Sequence, residues 1–205
     1  MKLKYLFILF FLIHTTLIFC QSNNEKLVLD INNNMHGTGD MNGVYVNTQY
    51  SKMFSKKFDW FGEMGFSVND LTYIDYFPGL ENNDLRYEQR YVTAGLQFGG
   101  GISYRPLSKN SEVNIQLGPV VRYQSSSYPV SASTFSPTMT KLPIVVEHVN
   151  HGNEPLRTIA LGGKLRLGYI YTFKKGFLIG ANAHFQNDTN GDTMYSYGLT
   201  VGKRF

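Results

Sequence analysis

A single cysteine in 205 residues, Cys20, excludes any intrachain disulfide framework. Long apolar runs are missing as well. Beyond residue 20 no stretch approaches the ~20 apolar residues that a helix needs to cross a bilayer. Extended blocks of one charge sign are absent, so nothing points to nucleic acid. Any membrane role must therefore use strands.

The first 20 residues are a different material from the rest. Lys2 and Lys4 make a short positive region. The apolar run Tyr5 to Ile13 follows, and after His14-Thr15-Thr16 comes Leu17-Ile18-Phe19-Cys20. That is the layout of a secretory signal peptide, with cleavage expected after Cys20 and before Gln21. The apolar run is short for a helical membrane anchor. An acylated lipoprotein Cys20 would call for small residues before it, where Ile18 and Phe19 stand. Residues 1–20 are thus expected to be a signal peptide and 21–205 a single domain. The whole chain has 19 basic and 15 acidic residues, a formal +4; without Lys2 and Lys4 the balance is 17 against 15, or +2.

What the mature part does have is strict period-2 alternation. In Arg157 to Phe173, Ile159, Leu161, Leu165, Leu167, Tyr169, Tyr171 and Phe173 share one face. Thr158, Ala160, Gly162, Lys164, Arg166, Gly168 and Thr172 share the other, with Ile170 the lone exception. A helix would space its apolar residues three and four apart instead. Similar alternation predicts eight strands, at roughly 25–33, 42–54, 58–72, 87–105, 113–128, 157–173, 177–187 and 193–205. Most meet the ~9–11 residues of a tilted membrane-spanning strand.

The connections alternate in length. Ser55-Lys56-Lys57, Pro106 to Ser111 and Lys174-Lys175-Gly176 are short; Asn34 to Met41, Leu71 to Arg86 and Tyr128 to Leu156 are longer, and Asp188 to Asp192 is again short. Outer-membrane barrels pair tight periplasmic turns with longer external loops. An even strand number puts both termini beneath the short turns.

Alternation does not say which face points outward, because a soluble carrier barrel alternates with its apolar face inward. Three features favour apolar-out. The polar face is rich in small residues, and its sparse charges have both signs: Asp59, Glu63, Arg105, Arg122, Lys164, Arg166 and Arg204. Aromatics cluster at both strand ends: Phe54, Phe58, Trp60, Tyr104, Tyr171, Phe173, Phe177 and Phe205 near the short turns, and Tyr123, Phe185, Tyr195 and Tyr197 near the others. Such rings match the interfacial girdles of membrane barrels. Finally, the chain stops at Phe205, at the end of an alternating strand.

That last strand, Tyr195-Ser196-Tyr197-Gly198-Leu199-Thr200-Val201-Gly202-Lys203-Arg204-Phe205, resembles the C-terminal signal strand of small, porin-like bacterial outer-membrane β-barrels. Lys203 departs from the pattern, where an apolar residue is usual, and at a membrane edge it can snorkel. The resemblance implies that the barrel-assembly machinery reads the strand ending at Phe205. It also implies an all-β, eight-stranded, antiparallel up-and-down transmembrane barrel in the Gram-negative outer membrane, in contact with its lipid and lipopolysaccharide. Eight strands enclose room only for side chains, so the polar face should form a plug rather than a pore.

His184-Phe185-Gln186-Asn187 resembles the His-aromatic-Ser-Asn stretch of outer-membrane lipid A deacylases. Gln186 stands where that family has its nucleophile, and an amide is no activated oxygen nucleophile. Ser196 lies downstream, but no Glu follows His184. His184 and Gln186 therefore read as polar lumen fillers. Glu147-His148-Val149-Asn150-His151 offers two His and a Glu at helical spacing within a loop, a weak metal motif. Tyr73, Tyr76 and Phe77 read as girdle or loop-packing residues. No catalytic, cofactor or metal residue is assigned. The expected role is non-enzymatic: membrane integrity, adhesion or binding through external loops. The alternatives are a deacylase-like enzyme and a soluble periplasmic carrier.

The apolar band requires that the mature chain be extracted only with detergent, and that it resist unfolding in mild detergent until heated. Recovery as a water-soluble monomer would overturn the apolar-out assignment.

Overall fold

The computed structural model describes residues 24–37, 41–77, 85–108, 110–127, 129–135, 146–151 and 156–205. The expected signal peptide, residues 1–20, lies outside them. Ten strands are present: β1 (Glu25–His36), β2 (Met41–Ser55), β3 (Phe58–Phe77), β4 (Leu85–Ser108), β5 (Ser111–Ser127), β6 (Pro129–Phe135), β7 (Val146–His151), β8 (Leu156–Thr172), β9 (Phe177–Asp188) and β10 (Thr193–Arg204). Eight of them close into an antiparallel barrel in the order β1-β10-β9-β8-β5-β4-β3-β2, and β6 and β7 make a separate two-stranded sheet. The last strand returns to the first from Lys26↔Arg204 to His36↔Met194, so neither β1 nor β10 is left as an edge.

All eight expected strands are present. The main differences lie at the end with the longer connections. β3 and β4 run on past Asp70 and Val92 as a paired ribbon as far as Phe77↔Leu85, so most of the expected loop from Leu71 to Arg86 is strand. Above Asp70 and Val92 the ribbon has left both neighbours, since β2 ends its pairing with β3 at Asn42↔Asp70 and β5 ends with β4 at Val92↔Ser127. The alternation that revealed the barrel strands reports an apolar outer band, and it stops where the band stops. Backbone pairing needs no such band and continues. In the long connection, the apolar and β-branched run Leu142 to Val146 reads from its sequence as an extension of the barrel strands. Residues 142–145 lie outside the described residues, and Val146 opens β7, which pairs with β6 at Phe135↔Val146 rather than with a barrel strand.

The barrel is polar within and apolar without. Asp30, Asn47, Glu112, Arg166 and Thr200 have no solvent exposure, whereas Leu117, Ile159 and Leu199 are 66%, 70% and 64% exposed. A soluble protein buries its apolar side chains and pairs or exposes its charges. The inversion suits hydrocarbon outside the barrel. One small apolar layer interrupts the lumen: Val28, Ile170 and Leu178 pack together. This accounts for Ile170, the residue that breaks the alternation of β8.

Both aromatic rings are in place. Phe54 stacks on Phe58 at 6.3 Å, Phe58 meets Tyr104 at 5.2 Å, and Tyr171 meets Phe173 edge-on at 4.9 Å. At the opposite end Phe185 packs on Tyr195 at 5.2 Å. Amphipathic and aromatic rings prefer the level of the headgroups, so the two girdles hold the barrel at a fixed depth.

Leu165 lies near the middle of β8, faces outward and is 38% exposed. Leu165→Arg should cost about 2–4 kcal/mol of stability in a bilayer, the usual penalty for a cation at the midplane of such a barrel. Leu165→Ala, which places no charge in hydrocarbon, should fold with near-normal yield. Equal folded fractions for the two variants, read from heat-modifiable gel mobility, would show that Leu165 does not face lipid.

Candidate functional site: the charged lumen

Every second residue of each barrel strand points inward. Among the described residues, five cations (Lys26, Arg105, Arg122, Lys164, Arg166) and five carboxylates (Asp30, Asp59, Glu63, Glu112, Asp188) are buried there, so these buried charges balance. They are arranged in three tiers.

At the short-turn end, Lys26 Nζ lies 3.1 Å from Asp59 and 2.5 Å from Glu112. Arg105 bridges the same two acids at 2.8 and 3.5 Å, and Arg204 donates to Glu112 at 2.6 Å. In the middle tier Asp30 is the hub. Its Oδ1 accepts from Arg166 Nη2 (2.9 Å), Thr200 Oγ1 (2.6 Å) and Asn182 Nδ2 (3.2 Å), and its Oδ2 from Asn47 Nδ2 (3.4 Å). Four strands, β1, β2, β8 and β9, thereby meet β10 on one carboxylate. Beside it, Glu63 pairs with Lys164 and accepts from Asn47 Nδ2 at 3.1 Å. Tyr45 lies across the lumen there, its hydroxyl accepting from Gln97 Nε2 at 2.7 Å. A Cβ on Gly65 would sit 2.6 Å from a Tyr45 ring carbon, so only glycine leaves room for that ring.

The third tier closes the end with the longer connections. Arg122 lies 3.2 Å from Asp188 and 3.3 Å from Asp192, and it contacts His36 Nε2. His36 Nε2 is also 3.4 Å from Asp192. The hydrogen bond from His36 holds the Asp192 carboxyl below the usual carboxylate range. A depressed carboxyl stabilises the fold above the unfolded value, and that contribution is lost as the pH falls through the folded one.

Of the residues singled out from the sequence, Asp59, Glu63, Arg105, Arg122, Lys164, Arg166 and Arg204 all take part in these tiers. Lys26, Asp30, Glu112 and Asp188 were missed. Lys26 and Asp30 alternate with Leu27, Leu29 and Ile31, and that period was the available signal. Glu112 and Asp188 sit at strand ends, where alternation is weakest. His184 and Gln186 are buried in the lumen. His184 stands edge-on to Tyr45 at 5.6 Å, with its Nε2 3.7 Å from Asp30 Oδ2. Ser196 pairs with His184 across β9 and β10, but no hydrogen bond joins the two side chains among the described residues. These three side chains are enclosed in the lumen, and Asp30 is held by four other donors. The Glu147–His151 segment lies in strand β7 rather than in a helix, and its side chains are outside the described set. No group of metal-ligating side chains forms among the described residues. Tyr73 is exposed, above the level where β2 leaves β3; the side chains of Tyr76 and Phe77 lie outside the described set.

Lys164 is a structural cation rather than a replaceable filler. Removing one partner of a buried pair leaves an uncompensated charge and costs about 3–5 kcal/mol. Lys164→Gln alone should therefore destabilise the barrel, Glu63→Gln alone likewise, and the double variant should recover most of the loss. Additive losses in a double-mutant cycle of urea unfolding would show that the pair is not coupled.

No protein family matches the sequence, and no curated protein matches it either. Solved structures do match. Ail, the attachment invasion locus protein of Yersinia pestis, superposes with a TM-score of 0.53 at 13% identity over 89% of this chain and 98% of its own. Neisserial surface protein A superposes with a TM-score of 0.53 at 9% identity, covering 90% and 98%. The outer membrane enzyme PagL reaches 0.44 at 14% identity, over 87% and 99%, and at that level carries no argument. Identities this low speak to architecture alone. Closed, inside-out and capped by two aromatic girdles, the chain has the fold of the small eight-stranded outer-membrane β-barrels.

Proposed function

We propose that the protein is a non-enzymatic barrel of the bacterial outer membrane, with its plugged lumen as a rigid post and its longer connections as the part that meets the exterior. The observation that carries this is the lumen itself. Five buried cations balanced by five buried carboxylates fill it, and such an interior conducts no solute and admits no substrate. A soluble carrier of apolar ligands would need the opposite, an apolar cavity. A lipid-modifying enzyme would need its base and nucleophile open to lipid, whereas His184, Gln186 and Ser196 all point inward.

The two ends of the barrel differ in what they offer. Both ends of the barrel-forming chain, near Glu25 and Arg204, lie with the turns at Lys56 and Lys175. We place this end in the periplasm, with the strand that ends at Phe205 as the one the barrel-assembly machinery reads. The other end carries the β3–β4 ribbon and the β6–β7 sheet, which stand beyond the closed barrel. Binding residues lie disproportionately on connections held up by a rigid scaffold. Ail is by name an attachment protein and Neisserial surface protein A a surface protein, so the fold serves such roles elsewhere. Adhesion or another loop-mediated contact, together with a share in membrane integrity, is the reading we favour.

An epitope inserted at Ser136, between β6 and β7, should be labelled on intact cells. One inserted at Lys56, in the β2–β3 turn, should be labelled only after the outer membrane is opened. The reverse pattern would invert the topology and remove the external connections as carriers of function.

A further inference from the structure

The short-turn end of the barrel repeats one chemical pattern around its rim. Phe54-Ser55-Lys56-Lys57-Phe58 joins β2 to β3, Phe173-Lys174-Lys175-Gly176-Phe177 joins β8 to β9, and Lys203-Arg204-Phe205 ends β10. Phe54, Phe173 and Phe177 are 60%, 50% and 60% exposed, so they present apolar surface outward. Lys56, Lys57, Lys174, Lys175 and Lys203 are all exposed. None of the five lysines has a carboxylate partner among the described residues. Lys203 reaches over the Phe205 ring at 5.2 Å, which draws its ammonium to the edge of the apolar surface.

The balance of charge at the other end is different. There Arg90 is paired with Asp70, and Arg122 is held inside by Asp188 and Asp192. Among the described residues that end leaves one exposed cation without a carboxylate partner, Arg157, against five lysines at the short-turn rim. These lysines are also spread along it: the β2–β3 and β8–β9 turns lie on separate arcs of the barrel, with β10 next to β9. A protein partner would dock on one patch. Phenylalanines in the apolar layer, with lysines just beyond them, run instead along the β3-β2-β1-β10-β9-β8 arc, leaving out the β4–β5 turn, and face a surface that follows the barrel wall.

We infer that the short-turn rim binds anionic phospholipid headgroups, with the phenylalanines seated in the acyl boundary and Lys56, Lys57, Lys174, Lys175 and Lys203 on the phosphates. Lysines close to a membrane surface are attracted by its negative potential, and the attraction falls away within a Debye length. The rim thereby selects the lipids around the barrel. That these lipids are those of the periplasmic leaflet rests on the topology proposed above; the selection itself does not.

The test uses the folded chain in nanodiscs of phosphatidylcholine containing a fifth part of phosphatidylglycerol, where the orientation in cells plays no part. Spin-labelled lipids report which headgroup is enriched next to the protein. Wild type should enrich the anionic lipid about fivefold over the zwitterionic one, comparable to the contribution of a single surface lysine. The enrichment should fall to near unity in Lys56→Gln/Lys57→Gln/Lys174→Gln/Lys175→Gln/Lys203→Gln and in about 1 M salt. Arg90→Gln/Arg157→Gln, which removes two exposed cations from the opposite end, should leave it unchanged. Heat-modifiable mobility checks that each variant is folded. Enrichment that survives substitution of all five lysines, or that is lost with Arg90 and Arg157 instead, would overturn the assignment.

Discussion

A strand in hydrocarbon has no water to satisfy its N–H and C=O groups, so each must find another strand, and a sheet can meet that demand only by closing on itself. In this chain the demand is met at the β1–β10 seam, where pairing runs from Lys26↔Arg204 to His36↔Met194. Once the seam closes, period-2 alternation has a fixed consequence. One set of side chains is in lipid and the other is locked in a narrow tube. The outward set can be apolar at no cost. The inward set must satisfy itself, because neither water nor lipid reaches it freely.

For its charged groups the lumen does this with tiers rather than with a continuous chain of charge. Asp30 gathers donors from four other strands, and Glu63 with Lys164 forms a second centre beside it. Buried ion pairs are often no more stabilising than packed apolar residues, since desolvation offsets their attraction. Their value here is specificity. A one-residue slip in any strand would put charges into lipid and leucines into the tube, and every ion pair across the lumen would be lost. Register and lumen chemistry thus enforce each other. The small apolar layer of Val28, Ile170 and Leu178 shows that the tube tolerates apolar residues where they can pack together.

The two ends turn the same scaffold toward different surroundings. The β2–β3 and β8–β9 turns are basic and flanked by phenylalanines that present apolar surface outward. The other end lets pairs of strands leave the barrel, as the β3–β4 ribbon does above Asp70 and Val92. On the reading proposed above, a barrel with a filled interior acts on its surroundings at these rims.

The eight strands, their approximate limits and their apolar-out facing were legible in the sequence, because a closed barrel leaves the same two-residue period on every strand that crosses the bilayer. So was the charged character of the lumen, through residues such as Arg105, Lys164 and Arg166. Three things were decided only by the tertiary structure. The first is which charges meet: Asp30 stands 136 residues from Arg166 and 170 from Thr200, and only closure brings them within 3 Å. The second is the role of Lys164, which looks replaceable as one polar residue among neighbours and proves to be the partner of a buried Glu63. The third is the pairing beyond the apolar band, in the β3–β4 ribbon and the β6–β7 sheet. The physical reason is common to all three. Alternation records the environment of each residue, lipid or lumen, and that is a local property; partnership across the barrel depends on strand register and closure, which no single segment contains.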